Sequence, residues 1–292
     1  MERQADDQSD SGGKELHEQD KDRALRHLMK TLEAVNDRLR ESESLKTNFL
    51  SNIRNEINNP LTSIMYLSQQ IMEERNPALS TIRKTFGLVY AEAFDLDFQL
   101  RNLFAAAEIE AGEHTLGVSN VDIDVVIQNT IRSFKHRMDQ KNIEIIYSYE
   151  ELNASGEKRL FKTDSGKLKL VLSNLLSNAI EFSEDSGIIE LEAKRDGENV
   201  TIAFRDYGIG FHMDYEKVIF ERFRQLDTGA RRKHRGHGLG LSITKDLIDL
   251  LGGTISATSA QGKETLFAVS IHEAEPAAGT DVFSDDGNVF IF

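Results

Sequence analysis

Asn174 and Asn178 stand four positions apart, Asp206-Tyr-Gly208-Ile-Gly210 follows, and after a basic stretch comes Gly236-His-Gly238-Leu239-Gly240-Leu. In this order the residues describe a pocket for a metal-bound nucleoside triphosphate. Amides at i and i+4 share a helix face and can offer oxygens to one hard cation, for which magnesium is suited when phosphates neutralise its charge. An isolated pair would merely cap or solvate a helix. Here the pair sits among the core positions Val171, Leu172, Leu175, Leu176 and Ala179, where an unpartnered amide costs about 1 to 3 kcal/mol. Asp206 closes the apolar run Val200-Thr-Ile-Ala-Phe204, and its acceptor-only carboxylate can take a hydrogen bond from the exocyclic amine of adenine, selecting against guanine. Gly208 and Gly210 permit close backbone approach, although a glycine pair after a strand is by itself an ordinary turn. The stretch Arg224 to Arg235, with Arg231, Arg232 and Lys233, reads as a basic lid over phosphates, and the glycines after it open a helix whose N-terminal amides suit an anion.

Other glycine motifs are excluded. A dinucleotide fingerprint needs glycine where Leu241 stands, and no glycine-lysine pair is followed by serine or threonine. Asp206-Tyr-Gly208 faintly echoes the metal-binding triplet of protein kinases, but no matching catalytic loop precedes it.

The elements that must position these groups fall into two textures. Residues 1–20 lack periodic apolar positions and read as a disordered tail. Leu25, Leu28, Leu32, Val35 and Leu39 then alternate spacings of three and four, the seam of a helix that pairs with another helix. The pattern continues through Phe49, Ile53, Ile57, Leu61, Ile64 and Leu67 to a break at Arg75-Asn-Pro77-Ala, and a second amphipathic helix spans about 80–111 before Gly112. A hairpin of this kind has too little core alone, so two copies are expected to form a four-helix bundle. From 117 to 272 the elements are shorter and mixed: a helix near 122–141, a strand at 143–149, a helix near 164–183, strands near 187–194 and 199–206, a helix at 238–251 and strands near 254–259 and 265–271. The fold class is α+β, a dimeric helical hairpin over 21–112 followed by an α/β sandwich over 117–272, with an acidic tail at 273–292.

Composition fits a soluble, cytoplasmic protein. At 292 residues, 39% hydrophobic and 29% charged, the chain can build one sizeable core plus a helical module. No apolar run reaches the roughly 20 residues that span a bilayer. Cysteine is absent, which removes disulfides and thiolate metal sites. A net charge of −14 argues against nucleic acid as a partner, so phosphate binding must come from local groups.

The order of these motifs resembles the sensor histidine kinases of two-component signalling over about residues 21–272. That family's asparagine box is similar to Asn174–Ser183, its first glycine box to Asp206–Gly210, its phenylalanine box to Phe220–Phe223 and its second glycine box to Gly236–Leu241; Thr265 and Phe267 resemble the last box, with Glu264 where glycine is usual. The resemblance implies the ATPase fold shared with DNA gyrase and MutL, ATP and Mg2+ as cofactors, and a response regulator receiver domain as partner. It implies a site formed by Asn174, Asn178, Asp206, Gly208, Gly210, Phe220, Arg224, Arg235, Gly236, Gly238, Leu239, Gly240 and Thr265, with Asn178 and Asn174 at the metal.

Two departures from the family pattern matter. Within Phe49-Leu-Ser-Asn-Ile-Arg-Asn55-Glu56-Ile-Asn-Asn59-Pro60-Leu61, the resemblance places Asn55 at the phosphoacceptor position. Imidazole offers a free ring lone pair near neutral pH, whereas an amide nitrogen is delocalised and its oxygen is a poor nucleophile. Autophosphorylation is not expected. At Glu181 the resemblance would place a lysine near the phosphates; a two-unit charge change at ~8 Å and an effective dielectric of ~40 costs on the order of 2 kcal/mol, so weak ATP binding is expected. Glu56-Ile-Asn-Asn59 keeps the pattern of family members that dephosphorylate their regulator, in which Asn59 would orient a water; otherwise Asn59 only precedes Pro60, which disfavours helical backbone before it. Three readings therefore stand: a histidine kinase with a replaced acceptor, a regulator phosphatase using Glu56 and Asn59, and a non-catalytic scaffold. The expected dimer is either a homodimer or a heterodimer with another histidine kinase.

Overall fold

The computed structural model describes residues 29–32, 35–36, 54–55, 57–113, 115–152, 159–216, 218–222 and 238–274. The chain divides into two units, Met1–Asn52 and Ile53–Phe292. In the first, residues 29–32 and 35–36 are helical and expose Met29, Leu32 and Val35. The other seam positions Leu25, Leu28 and Leu39, the tail over 1–20 and residues 275–292 lie outside the described residues.

In the second unit, α1 (residues 57–73) and α2 (Leu79–Ala111) are joined by the non-helical residues 74–78. Backbone at 57–59 is helical although Pro60 follows, and Pro60 itself is buried. Gly112 ends α2 at φ 71° in the left-handed region. A two-stranded antiparallel sheet follows, made by β1 (Val118–Val121) and β3 (Phe161–Asp164). The segment expected to be one helix over 122–141 is two, α3 (Ile123–Ser133) and α4 (Lys135–Lys141), because the backbone turns at Phe134 (φ −92°, ψ 1°). The turn sends the fully buried Phe134 ring edge-on against Phe94 and Phe98 of α2, at 5.1 and 5.6 Å between centroids. Tertiary packing has overridden a continuing amphipathic pattern.

The main sheet is mixed, in the order β2-β4-β5-β7-β6, with β2 (Glu144–Leu152) parallel to β4 (Ile188–Asp196) and the other pairs antiparallel. Alternate residues of β4, β5 (Asn199–Asp206) and β7 (Glu264–His272) are buried, placing Leu191, Ile202, Phe204, Phe267 and Val269 in the core. Against them lie Leu168, Leu172, Leu175, Leu176 and Ile180 of α5 (Ser165–Phe182), and Ile243 and Ile248 of α6 (Gly240–Leu250). β6 (Thr254–Ala260) forms one edge. The fully buried Arg195 takes a core position of β4, where it is neutralised by Glu151 and Glu273, bonded to the carbonyls of Arg159, Leu160 and Gly197, and stacked over Phe161. The neighbouring core positions at the opposite end of β5 carry the candidate site.

Candidate nucleotide-binding site

Asp206 is the last core-facing residue of β5, and its register partner on β7 is Thr265; both are buried. At this end the inner face of the sheet turns from apolar to polar. One Asp206 oxygen accepts the Gly208 N–H at 3.1 Å, and no other donor among the described residues reaches the carboxylate. Burial raises its pKa to about 6, opposed only in part by the Gly208 N–H. Such a carboxylate is short of one donor, the group that an exocyclic adenine amine supplies. Thr265 Oγ1 lies 3.2 Å from Ser259 Oγ, which in turn accepts the Phe211 N–H at 2.9 Å and donates to the Glu264 carbonyl at 2.8 Å.

The glycines between these groups are required by close approach. A Cβ on Gly208 would stand 2.0 Å from the Phe182 carbonyl oxygen, and one on Gly210 would stand 2.4 Å from that of Ala260, with φ at +56° besides. The loop after β5 is therefore pinned between the C-terminal turn of α5 and the β6–β7 turn. Phe220 packs edge-on over Phe267 at 6.5 Å, on the same side of the fold.

α5 joins this group to the second glycine segment. Phe182 touches Gly208, while Asn174, two turns earlier, has its Oδ1 3.4 Å from where a Cβ of Gly240 would stand. Asn178 lies midway on the same helix face and is half-buried. It thus faces the gap between the Asp206 loop and the start of α6, where Leu239 is buried and Gly238 has φ +67°. A neutral amide oxygen in that gap fits a magnesium ion that phosphates also hold.

The amide nitrogen of Asn174 serves a second contact. Its Nδ2 donates to Asn102 Oδ1 of α2 at 2.8 Å, and both residues are buried. Arg222 ties the same surfaces further out, pairing with Asp246 of α6 at 2.7 Å and Glu110 of α2 at 3.2 Å. Asn102, Ser259 and Phe182 are thus site-building residues that sequence did not single out; their signals are an unremarkable amide in a helix, a Ser/Thr-rich edge strand and a main-chain oxygen. Of the hairpin residues, Asn55 and Asn59 are exposed on helical backbone. Glu56, Arg224, Arg235 and Gly236 lie outside the described residues.

Residues 163–275 match the model of the histidine kinase-, DNA gyrase B- and HSP90-like ATPases, so β4 to β7, α5, α6 and the Asp206 loop belong to an ATPase domain of that class. The chain is 28% identical over 80% of its length to the circadian input-output histidine kinase CikA of Synechococcus elongatus, and 30% identical over 82% to the sensor histidine kinase TmoS of Ectopseudomonas mendocina. Full-length ShkA, crystallised in complex with AMPPNP, aligns with 81% of the chain at 25% identity and a TM-score of 0.54. The protein belongs to the sensor histidine kinase family. It spans 30% of CikA, 24% of TmoS and 47% of the ShkA chain.

Proposed function

We propose that the protein binds Mg-ATP between Asp206 and the start of α6, works in a two-component phosphorelay, and does not phosphorylate itself because Asn55 stands at the acceptor position. The observation that carries the nucleotide reading is Asp206: buried, raised in pKa, and short of one donor. The AMPPNP complex of ShkA supports the same ligand class. Bound ATP supplies a transferable γ-phosphoryl group. In this reading Asp206 holds adenine, Asn178 holds the metal with the phosphates, and the basic segment containing Arg224 and Arg235 covers them. Residues 21–112 serve as dimerisation and phosphotransfer module and 117–272 as ATP-binding domain. Exposed Met65, Met72, Leu79, Phe86 and Phe104 on the hairpin support a dimer, because apolar surface of that extent calls for a partner helix face. The regulator's receiver domain is the partner in phosphotransfer.

Calorimetric titration with ATP and with GTP tests the pocket. ATP is expected to bind and GTP not, and Asp206→Asn is expected to weaken ATP by about tenfold or more, since the exocyclic amine then loses its ionised acceptor. Equal binding of both nucleotides would contradict the assignment.

The exposure of Asn59 on helical backbone favours a second activity, orienting water toward a regulator's aspartyl phosphate to release inorganic phosphate and restore the carboxylate. An unchanged rate of regulator dephosphorylation in Asn59→Ala removes that reading.

A further inference from the structure

A chain with net charge −14 that binds a triphosphate needs cations fixed beside the phosphates. Glu181, three positions after Asn178 on α5, has the wrong sign for this. Yet its Oε2 lies 3.7 Å from Nη2 of Arg137, with the two side chains 21% and 20% exposed. Arg137 comes from α4, and its Nη1 donates to Ser177 Oγ at 2.8 Å. The guanidinium also sits 5.7 Å from the centroid of the buried Phe134 ring. An ion pair, a hydrogen bond and an aromatic face thus hold one fork across Ser177 and Glu181, the residues that flank Asn178.

A second cation, Lys141, reaches the end of α5, but its ammonium donates to the carbonyls of Ile180 and Glu181 at 2.8 Å and of Ser183 at 3.1 Å. Three donors meet three acceptors, so Lys141 is saturated. Arg137 is not: a guanidinium carries five N–H donors, and the one to Ser177 is its sole hydrogen bond among the described residues. The remaining donors match the oxygens of a phosphate.

We propose that Arg137 is a phosphate-binding cation of the nucleotide pocket, delivered from α4 and aimed by Glu181 and Ser177. The inference rests on the ATP reading given above. It replaces the penalty expected from Glu181 with a neutral pair that has spare donors, so ATP binding is not weakened by residue 181. Glu181 is a positioning residue.

The test is titration of the full chain with ATP and with adenosine, which shares the base but has no phosphate. Arg137→Ala is expected to weaken ATP on the order of tenfold and leave adenosine unchanged. Arg137→Lys, which keeps the charge, should retain most of the ATP affinity, and Glu181→Lys added to Arg137→Ala should restore it by returning a cation to the same place. Equal losses for ATP and adenosine would mean that Arg137 only supports the fold, and an unchanged ATP affinity would mean that it does not reach the phosphates; either overturns the inference while leaving the pocket intact. Failure of the unmodified protein to bind adenosine and ATP alike would sink the pocket reading and this inference with it.

Discussion

A carboxylate taken out of water without a cation beside it stays costly until a ligand returns what hydration supplied. Asp206 is in that state, and its raised pKa has consequences of opposite sign for binding and for stability. Binding adenine requires the ionised form, so with a pKa of about 6 the ATP affinity should fall about tenfold between pH 7 and pH 5, read by calorimetry in buffers of matched ionic strength. Stability runs the other way. The folded-state value lies above the ordinary 3.8, so ionisation costs stability progressively as pH rises from 3.8 through about 6 and fully above it. Asp206→Asn keeps an acceptor for the Gly208 N–H without the charge, so its melting temperature should exceed that of the unmodified protein at pH 7 and match it near pH 4. An unchanged melting temperature at both values would show that water solvates the carboxylate. Gly208, Gly210 and Gly240 were legible in sequence because close approach restricts the residue types at those places, and Asp206 and Asn178 stood out as polar groups beside core positions within a short window. Asn102, Ser259 and Arg137 were not, because each acts through a partner 72, 48 or 40 positions away.

α5 is the element on which the site is strung. Its interior side builds the core with Leu172, Leu175 and Leu176, while Asn174 and Phe182 touch the two glycine segments that it holds apart. Through Asn174 it is also bonded to α2, so α2 and the candidate site share a buried amide pair. Removing either partner leaves the other unsatisfied: Asn102→Ala and Asn174→Ala should each cost about 1 to 3 kcal/mol in chemical denaturation, and the double variant clearly less than their sum. Strict additivity would contradict the pairing. The long elements were readable because their periodicity persists over many residues, and the expected helix at 80–111 differs from α2 by one residue at its start. β1 and β3 were not anticipated: Val118–Val121 and Phe161–Asp164 are four residues each, too short to carry a pattern. Their role is visible only in three dimensions, where Asp164 ends β3, caps α5 by accepting the Lys167 N–H, and accepts the Gly117 N–H.

At the scale of the molecule, an ATPase domain is joined to a helical region, and the exposed Asn55 there cannot hold a phosphoryl group as an imidazole does. Apolar residues along the hairpin lead us to expect twice the chain mass in sedimentation velocity, and a single-chain mass would contradict the bundle. Among the described residues no helix is long and apolar enough to cross a membrane. In the proposed function the pocket is intact and residue 55 alone silences self-phosphorylation. That reading is tested most directly by incubating the protein and its Asn55→His variant with magnesium and γ-labelled ATP and scoring acid-labile phosphate on each. Label is expected on the variant only. Label on the unmodified protein, or none on a variant that still binds ATP, would contradict it.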